Sequence, residues 1–312
     1  MLDAIKEVQM SKLGLEYQSK YVGNLLYDPS VLHHIDATAK LHEQTLSHPL
    51  SSSAACLNVL GSMLGDPIAL KEYLNTFGLE IDHLLPFPSG TTYGGRKYAD
   101  DGYVVFEWVG PQKSPINEQG GSRGQNRTSV DAFVLAVING KCTQVLIEWK
   151  FTEGISRDLA LGRFSGQKGI ERYKRYTPVL AKLRKEKAFP FAFEDEYIPS
   201  KDSSCLGLHD LSADHFYQLL RMTLLARKTT PSQLGQVKIE DYRIVHLSHS
   251  ENQIINTIQP EHVRYCPGLG QWLGKPFHET WQTILSSEER TRFRSGFWDN
   301  EISSTIGIRH CL

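Results

Sequence analysis

The stretch CTQVLIEWKF, residues 142–151, decides the fold of this chain. Its valine, isoleucine, tryptophan and phenylalanine residues favour a strand, and a nearly continuous apolar run is typical of a strand buried on both faces. Glu148 and Lys150 interrupt that run. A carboxylate and an ammonium are expensive to bury unless something compensates their charges, so both residues need an explanation.

A hairpin explains how charged residues come together here. The dipeptide Asn-Gly at 139–140 is typical of a two-residue type I′ turn, which joins this strand to SVDAFVLAVI, residues 129–138. Counting outward from the turn puts Asp131 opposite Glu148, and directly opposed residues lie on the same face of a sheet. Lys150 is two residues beyond Glu148 and points to that face too. The sequence therefore predicts a cluster of two carboxylates and one ammonium.

This cluster has the chemistry of a metal site. Two carboxylates that face each other repel, and burial makes the repulsion worse. A divalent cation between Asp131 and Glu148 would relieve it, and Mg²⁺ is typically held by one or two carboxylates together with substrate phosphates. We therefore expect Mg²⁺, with Mn²⁺ as a substitute, and a role for Lys150 at a phosphate or an attacking water. The alternative is a structural ion pair between Lys150 and one carboxylate, which leaves the other carboxylate uncompensated.

The rest of the chain reads as helices and strands around this hairpin. Residues 1–80 read mainly as helix, with a serine run and Asp66 as N-caps of two helices. Beyond them, we predict strands at 103–109, 129–138, 142–151 and 241–249, and helices at 165–187, 213–228 and 278–299. This order predicts a mixed α/β core with helical additions. We expect an N-terminal helical region at 1–96, a core at 97–250 and a C-terminal helical extension at 251–312.

The charged hairpin also resembles a known signature. Asp131, the turn and Glu148-Trp149-Lys150 resemble the D…(D/E)xK pattern of the PD-(D/E)XK, or restriction-endonuclease-like, nuclease superfamily, with Val130 in place of the proline. The stretches TSVDAF…VLIEWKFTE and FYQLLRMTLLA are similar to a bacterial group of restriction-endonuclease-like proteins. The resemblance covers about 100–250 and implies an α/β fold: an αβββαβ core with a mixed central sheet and added N- and C-terminal helices.

The resemblance implies a role for each residue of the cluster. Asp131 and Glu148 would ligate the metal, and the carbonyl of Trp149 would be a third ligand. Lys150 would act at the scissile phosphate.

Related nucleases often carry an additional upstream acid. Glu107 is our first choice, because it interrupts the apolar strand YVVFEWV, where an unpaired charge is costly. Glu118 lies in the polar loop that follows and could be merely solvated. Glu43 is a weaker third option.

A basic segment follows the hairpin and suits DNA. Residues 163–187 contain nine Lys or Arg and two Glu, interleaved with Tyr173 and Tyr176. A cationic stripe with aromatic residues is typical of contact with a phosphate backbone, although a solvated helix face has the same composition. The glycine-rich loop 120–127 adds further donors. The side chains that we predict to contact DNA are Arg123, Arg127, Gln167, Lys168, Arg172, Lys174 and Arg175.

These observations predict a metal-dependent endodeoxyribonuclease that serves restriction or host defence. The alternatives are a catalytically silent module that binds nucleic acid or a protein partner, and a hydrolase of another phosphate ester. DNA is the expected partner, and the sequence leaves open a protein partner in a defence system and a homodimer. The chain has no signal peptide and no apolar run near 18 residues, so we expect a cytoplasmic location and no membrane contact.

A zinc site is a further alternative. Cys205 and His209 form a CxxxH pair, and His262 and Cys266 form an HxxxC pair. Their spacing is looser than in usual zinc motifs, so unrelated thiols and surface histidines are the preferred interpretation.

Overall fold

The hairpin lies in the middle of a six-stranded sheet in a computed structural model of the chain. The structure describes residues 26, 28–36, 46, 51–87, 92–93, 96–97, 102–119, 127–152, 166–193 and 206–300. Two strands of nine residues each, with many β-branched residues, form this hairpin.

The described strands are β1 (Ile81–Leu85), β2 (Thr92–Tyr93), β3 (Arg96–Lys97), β4 (Val104–Trp108), β5 (Val130–Ile138), β6 (Lys141–Trp149), β7 (Ser232–Leu234), β8 (Val237–Ile239), β9 (Asp241–Ser248) and β10 (Phe293–Phe297). The α-helices are α1 (Ser52–Gly61), α2 (Pro67–Asn75), α3 (Gly166–Lys185), α4 (Asp214–Lys228), α5 (Gln253–Asn256), α6 (Pro260–Tyr265), α7 (Phe277–Ile284) and α8 (Ser287–Arg292). Short 3₁₀ helices span Pro29–His34, Leu208–Ser212 and Pro267–Trp272.

The central sheet is mixed. Its strand order is β1-β5-β6-β9-β10, and β4 also pairs with β5. The strands β1, β4 and β6 run antiparallel to β5, whereas β9 is parallel to β6 and β10 is parallel to β9. A second, four-stranded sheet has the order β3-β2-β7-β8. The predicted α/β fold with a mixed central sheet is thereby confirmed.

The turn of the hairpin is the predicted one. Asn139 and Gly140 have φ angles of 52° and 72°, the left-handed values that a type I′ turn requires at both central positions. Ile138 pairs with Lys141 next to the turn, and the described pairing continues in that register as far as Ala132 and Ile147. The predicted register is confirmed over these residues.

The two faces of the sheet belong to two hydrophobic clusters. The first face packs against α3, α4 and α7, and its buried strand residues include Phe133, Leu146 and Ile244. The second face packs against α1 and α2, and its buried strand residues include Ala132 and Ile147. The hairpin is therefore covered on both sides, as its apolar composition predicts.

Both predicted N-caps before the sheet are present. The Ser51 hydroxyl accepts a hydrogen bond from the backbone N–H of Ala54 at 3.2 Å. The Asp66 carboxylate accepts bonds from the N–H groups of Ile68 and Ala69 at 3.1 and 3.0 Å. These bonds satisfy donors that the first helical turn leaves without a partner.

The outer regions are less helical than we expected. Strand β1 and strand β10 join the central sheet from within the two regions that we interpreted as helical additions. The predicted closing helix at 278–299 is wrong, because the chain forms two short helices there and then enters β10. Pairing with β9 overrides the local helical pattern at this point. The three predicted regions therefore share one sheet. No helix among the described residues is long and apolar enough to span a membrane.

The close contact between β10 and Phe77, which packs on the second face of the sheet, provides a test of this packing. A Cβ atom on Gly296 would lie 2.3 Å from Cδ1 of Phe77, whose ring stacks edge-on against Tyr73. We expect Gly296→Ala to lower the free energy of unfolding by about 1–3 kcal/mol through overpacking. Gly65→Ala is the control, since a Cβ there meets nothing within 4 Å. Urea denaturation measures both, and equal effects of the two substitutions would contradict the packing of β10.

Candidate active site

Asp131 lies where β5 and β6 stop pairing through their backbones. The last described pair is Ala132 with Ile147, and one further step in this register brings Asp131 opposite Glu148. The Asp131 Oδ2 atom accepts a hydrogen bond from the backbone N–H of Trp149 at 2.7 Å. The carboxylate thus takes the place of a ladder acceptor and ties the two strands together at this end. The Asp131 side chain is half-buried.

Glu148 and Lys150 form a buried ion pair. The Lys150 Nζ atom lies 2.6 Å from Glu148 Oε1, and the two side chains are 6% and 3% exposed. Two such charges are stable in this environment only together, since removing one partner of a buried pair typically costs about 3–5 kcal/mol. The structural ion pair that the sequence left as an alternative is therefore present, and Asp131 remains outside it.

Glu107 lies in β4, the strand that pairs with the start of β5. In β4, its neighbours Phe106 and Trp108 pair with Ala132 and Val130 of β5. The residue that lies between the two paired positions of β5 is Asp131, so the register brings the two acids opposite each other.

The backbone at Glu107 is strained. Its φ angle is 55°, a left-handed value inside a strand, and the side chain is 2% exposed. Non-glycine residues in this conformation cost on the order of 1–3 kcal/mol and cluster at functional sites. The carboxylate accepts hydrogen bonds from the hydroxyls of Ser53 and Ser129 at 3.1 and 3.2 Å. A strained, buried acid in the strand next to Asp131 is therefore a candidate for the additional acid.

Glu118 is buried, so our interpretation of it as solvated is wrong. It accepts hydrogen bonds from the N–H and the hydroxyl of Thr128, both at 2.7 Å, and from the Tyr176 hydroxyl at 2.9 Å. Arg221 completes the network with an ion pair of 3.0 Å. Burial raises the pKa of Tyr176 well above its ordinary value, so its hydroxyl remains a donor. The network holds the chain three residues before Asp131, and loss of Glu118 would leave Arg221 without its counter-charge.

The basic helix α3 lies on the first face of the sheet. Its buried residues, Tyr176 among them, pack into the same cluster as Phe133, whereas Gln167, Lys168 and Lys174 are exposed. Tyr176 is therefore a core residue rather than part of a surface stripe. The guanidinium groups of Arg172 and Arg175 are half-buried, and they lie 5.5 Å from the ring of Tyr217 and 5.8 Å from the ring of Tyr176.

The Arg127 side chain has little exposed surface through which it could contact DNA. It is buried, and its Nε and Nη1 atoms donate to the carbonyl oxygens of Val109 and Gln112, both at 2.9 Å. This corrects its interpretation as a DNA contact, because the guanidinium instead closes the loop between β4 and β5. Arg123 and Glu43 lie outside the described residues.

The C-terminal segment contributes contacts that the sequence did not reveal. The indole Nε1 of Trp298 donates to the carbonyl oxygen of Lys150 at 2.9 Å, and its ring stacks on Trp149 at 5.1 Å. The amide of Asn252 donates to the carbonyl of Phe151 at 2.9 Å. The backbone of Lys150 is also held by its N–H, which donates to Leu247 at 2.8 Å. The residues that fix Lys150 come from about 100 to 150 positions further along the chain, so no local pattern signals them.

His246 lies beside Glu148 in the neighbouring strand. The two residues pair in the parallel register of β6 and β9. Burial, together with nearby His215 and Lys150, holds the pKa of His246 well below its ordinary value. The structure makes this histidine a neutral, buried neighbour of the cluster.

The structure gives no support to a zinc site among the described residues. His209 Nε2 is engaged with the Tyr265 carbonyl at 3.0 Å, and His262 Nδ1 accepts from the N–H of Gln259 at 2.9 Å. Burial raises the pKa of the Cys266 thiol to about 11, which disfavours the thiolate that zinc binds. Cys205 lies outside the described residues.

The donor set at the hairpin nevertheless fits Mg²⁺. In the described part of the chain, no three His, Cys, Asp or Glu side chains form a metal-binding group. Mg²⁺ does not require such a group, because one or two carboxylates and several water or phosphate oxygens complete its shell. Asp131, Glu148 and the Trp149 carbonyl provide only hard oxygen ligands, which Mg²⁺ prefers over soft ones.

Comparison with known families gives one result. Residues 16–295 match the family model described as "Restriction Endonuclease associating with ARP". Comparison with curated proteins and with solved structures gives no match. The family match covers the hairpin, the outer strand β1 and the first three residues of the outer strand β10.

The two stacked tryptophans provide a matched test of how Lys150 is held. Trp298→Phe removes the indole donor to the Lys150 carbonyl, whereas Trp149→Phe removes an indole N–H that has no hydrogen-bond partner among the described residues. Both substitutions remove the same volume from fully buried positions. We expect Trp298→Phe to lower the free energy of unfolding by about 1–3 kcal/mol more than Trp149→Phe, because a buried carbonyl loses its donor. Thermal and urea unfolding measure the difference, and equal losses would contradict the role of this bond.

Proposed function

The chain belongs to the family described as Restriction Endonuclease associating with ARP, and on that premise we propose that it is a Mg²⁺-dependent endodeoxyribonuclease. The observation that carries the proposal is the meeting of Asp131, Glu148 and Lys150 at one end of the β5–β6 hairpin, with Glu107 beside them. The family description names a restriction endonuclease, and we propose restriction or host defence in the cytoplasm as its setting.

Each residue of the cluster has a distinct task in this proposal. Asp131, Glu148 and the carbonyl of Trp149 would hold Mg²⁺, which when bound would polarise the phosphate and lower the pKa of a bound water. Lys150 carries a positive charge in a buried setting, where it stabilises charge that develops on a phosphate more strongly than in water. Glu107 is the additional acid, held ready by two serine hydroxyls.

The Lys150–Glu148 pair gives each partner a counter-charge before substrate arrives. With Mg²⁺ bound, Glu148 would share its charge between the metal and Lys150. The Lys150 ammonium would then be able to pair with a phosphate oxygen, because a phosphate also carries negative charge. The same pair is the one observation that favours our second candidate, a silent nuclease-fold module, in which the ion pair is purely structural.

Helix α3 supports DNA as the substrate. It carries seven Lys or Arg and one Glu over 20 residues, and its lysines at 168, 174, 182 and 185 are exposed. A chain of hydrogen bonds from Tyr176 through Glu118 to Thr128 anchors this helix beside the start of β5. A phosphate backbone that follows the helix would therefore reach the Asp131 end of the hairpin. The family description names ARP as an associate, so we also propose a protein partner.

Two substitutions separate metal binding from turnover. We expect Asp131→Asn to weaken Mg²⁺ binding and to lower DNA cleavage in parallel, because it removes a charged ligand. Lys150→Gln leaves both carboxylates, so metal binding should persist while turnover falls by about 100-fold or more. Calorimetry with Mg²⁺ or Mn²⁺ and a plasmid-nicking assay measure the two effects.

The control for both variants is Glu261→Gln, which changes an exposed carboxylate in α6. Lys150→Gln leaves Glu148 without its counter-charge and could destabilise the fold. Unfolding curves of each variant therefore test whether loss of fold is the cause of reduced cleavage. Wild-type protein that binds no metal and cuts no nucleic acid, with or without partners from cells of its source, would leave the silent module as the better account.

The salt dependence of DNA binding tests helix α3. We expect Lys168→Gln together with Lys174→Gln to lower the log–log salt slope by about 0.9 for each DNA phosphate that the helix no longer neutralises. The control is Lys238→Gln with Lys275→Gln, two exposed lysines outside the helix. Fluorescence anisotropy over a range of salt concentrations measures the slopes. The same slope in both double variants would mean that the helix is only a solvated basic surface.

A further inference from the structure

A cavity of about 130 Å³ lies next to the candidate active site, between β9, β10 and the start of α7. Its walls include His246 and Ser248 of β9, Phe277 and His278 of α7, and Ser295 and Phe297 of β10. None of these residues was singled out by the sequence as part of the catalytic cluster. The cavity is not used by any of the tasks that we assign to that cluster.

The register of three strands joins the cavity to the catalytic cluster. Glu148 of β6 pairs with His246 of β9, and His246 pairs with Ser295 of β10. Neighbouring strands lie about 4.8 Å apart, so the wall of the cavity begins one strand spacing from Glu148. That is the scale of the separation between a phosphate and the base of its own nucleotide.

Two side chains of β10, those of Ser295 and Phe297, point towards this cavity. A Cβ atom on Gly296 would meet Phe77 on the second face of the sheet. Because side chains alternate along a strand, Ser295 and Phe297 point to the opposite face, where the cavity lies. Ser295 thus presents a small hydroxyl to a space that a larger side chain would fill.

The chemistry of the walls suits a flat, uncharged ring. Phe277 and Phe297 provide aromatic surface, and the rings of Phe277 and His246 lie 5.1 Å apart. The Nε2 atom of His246 is buried without a hydrogen-bond partner in the described part of the chain. This nitrogen can form a hydrogen bond with the polar edge of a heterocycle. Ser248, by contrast, already donates to Asn256 at 2.7 Å.

We propose that this cavity receives one nucleobase of the DNA strand, from a nucleotide that flanks the phosphate held at Asp131 and Glu148. The proposal rests on the proposed nuclease function. Cavities of about 150 Å³ hold a single aromatic ring, so a pyrimidine is the closest match in size. A base that enters a pocket is not stacked in a duplex, and it must come from single-stranded DNA or be flipped out. The cavity therefore selects a substrate that is unpaired at the cleavage site.

Filling the cavity tests the proposal without touching the catalytic cluster. Ser295→Leu places an apolar side chain in the space, and Ser287→Leu makes the same change at an exposed position of α8. Binding of dCMP and dTMP is followed through the ring-proton NMR signals of His246 and His278, with deoxyribose 5-phosphate as the ligand without a base. We expect both nucleotides to shift these signals in wild type and in Ser287→Leu, and to bind roughly tenfold or more weakly to Ser295→Leu.

A second measurement uses the DNA itself. Single-stranded oligonucleotides that carry one abasic site, moved along the strand, are tested for binding to the Asp131→Asn variant and for cleavage by wild type. One abasic position should weaken binding by roughly tenfold, and this position-specific loss should disappear in Ser295→Leu. A base that stays paired in a matching duplex cannot enter the cavity. The affinity of the protein for that duplex should therefore not depend on Ser295.

The outcomes separate this proposal from the nuclease assignment. If wild type cuts DNA but no abasic position matters and Ser295→Leu behaves as wild type, the base-binding cavity is refuted and the nuclease stands. If no nucleic acid is cut, yet the nucleotides shift the histidine signals and deoxyribose 5-phosphate does not, the cavity stands and the nuclease assignment fails. Equal signal shifts with deoxyribose 5-phosphate would identify a phosphate site and overturn the proposal.

Discussion

The ion pair between Glu148 and Lys150 is the interaction around which this structure is arranged. Glu148 lies in the second strand of the central hairpin, and Lys150 directly follows that strand. An isolated charge would be far too costly there, and each charge is stable because the other is 2.6 Å away. The backbone on either side is fixed from three directions: by Asp131 at the N–H of Trp149, by Leu247 at the N–H of Lys150, and by Trp298 at its carbonyl. These three hydrogen bonds fix the backbone beside the ion pair and so hold the two charged side chains in position.

Several polar groups lie at the end of the sheet away from the turn, and apolar residues pack against both faces of the sheet. At the polar end, Glu107 has a left-handed backbone conformation, Asp131 replaces a ladder acceptor, and His246 keeps an unpartnered nitrogen within the described structure. The strained backbone at Glu107 and the unpartnered nitrogen of His246 each reduce stability. A folded protein tolerates such features together mainly where function requires them, and the apolar remainder of the sheet supplies the compensating stability.

The site depends on residues from across the chain rather than on the core segment alone. Ser53 of the N-terminal helix α1 donates to Glu107, and Trp298 near the C-terminus holds Lys150. The buried network of Glu118 and Arg221 links the basic helix α3 to the start of β5. The outer strands β1 and β10 extend the sheet on either side, and β10 forms a wall of the cavity next to Glu148. The outer regions therefore contribute to the same sheet and to the same candidate site as the core segment.

Several features of this protein depend only on neighbouring residues and could therefore be predicted from the sequence. The Asn-Gly turn fixed the hairpin and its register, the strand composition predicted burial on both faces, and the serine and Asp66 caps marked two helices, since each signal depends on neighbouring residues only. The burial of Glu118 and Arg127, the contact of Trp298 with Lys150, and the entry of 293–297 into the sheet were decided by tertiary structure. These features join residues from about 10 to 150 positions apart, and the exposure of a polar side chain depends on what packs over it. The pattern of one segment carries no information about such partners.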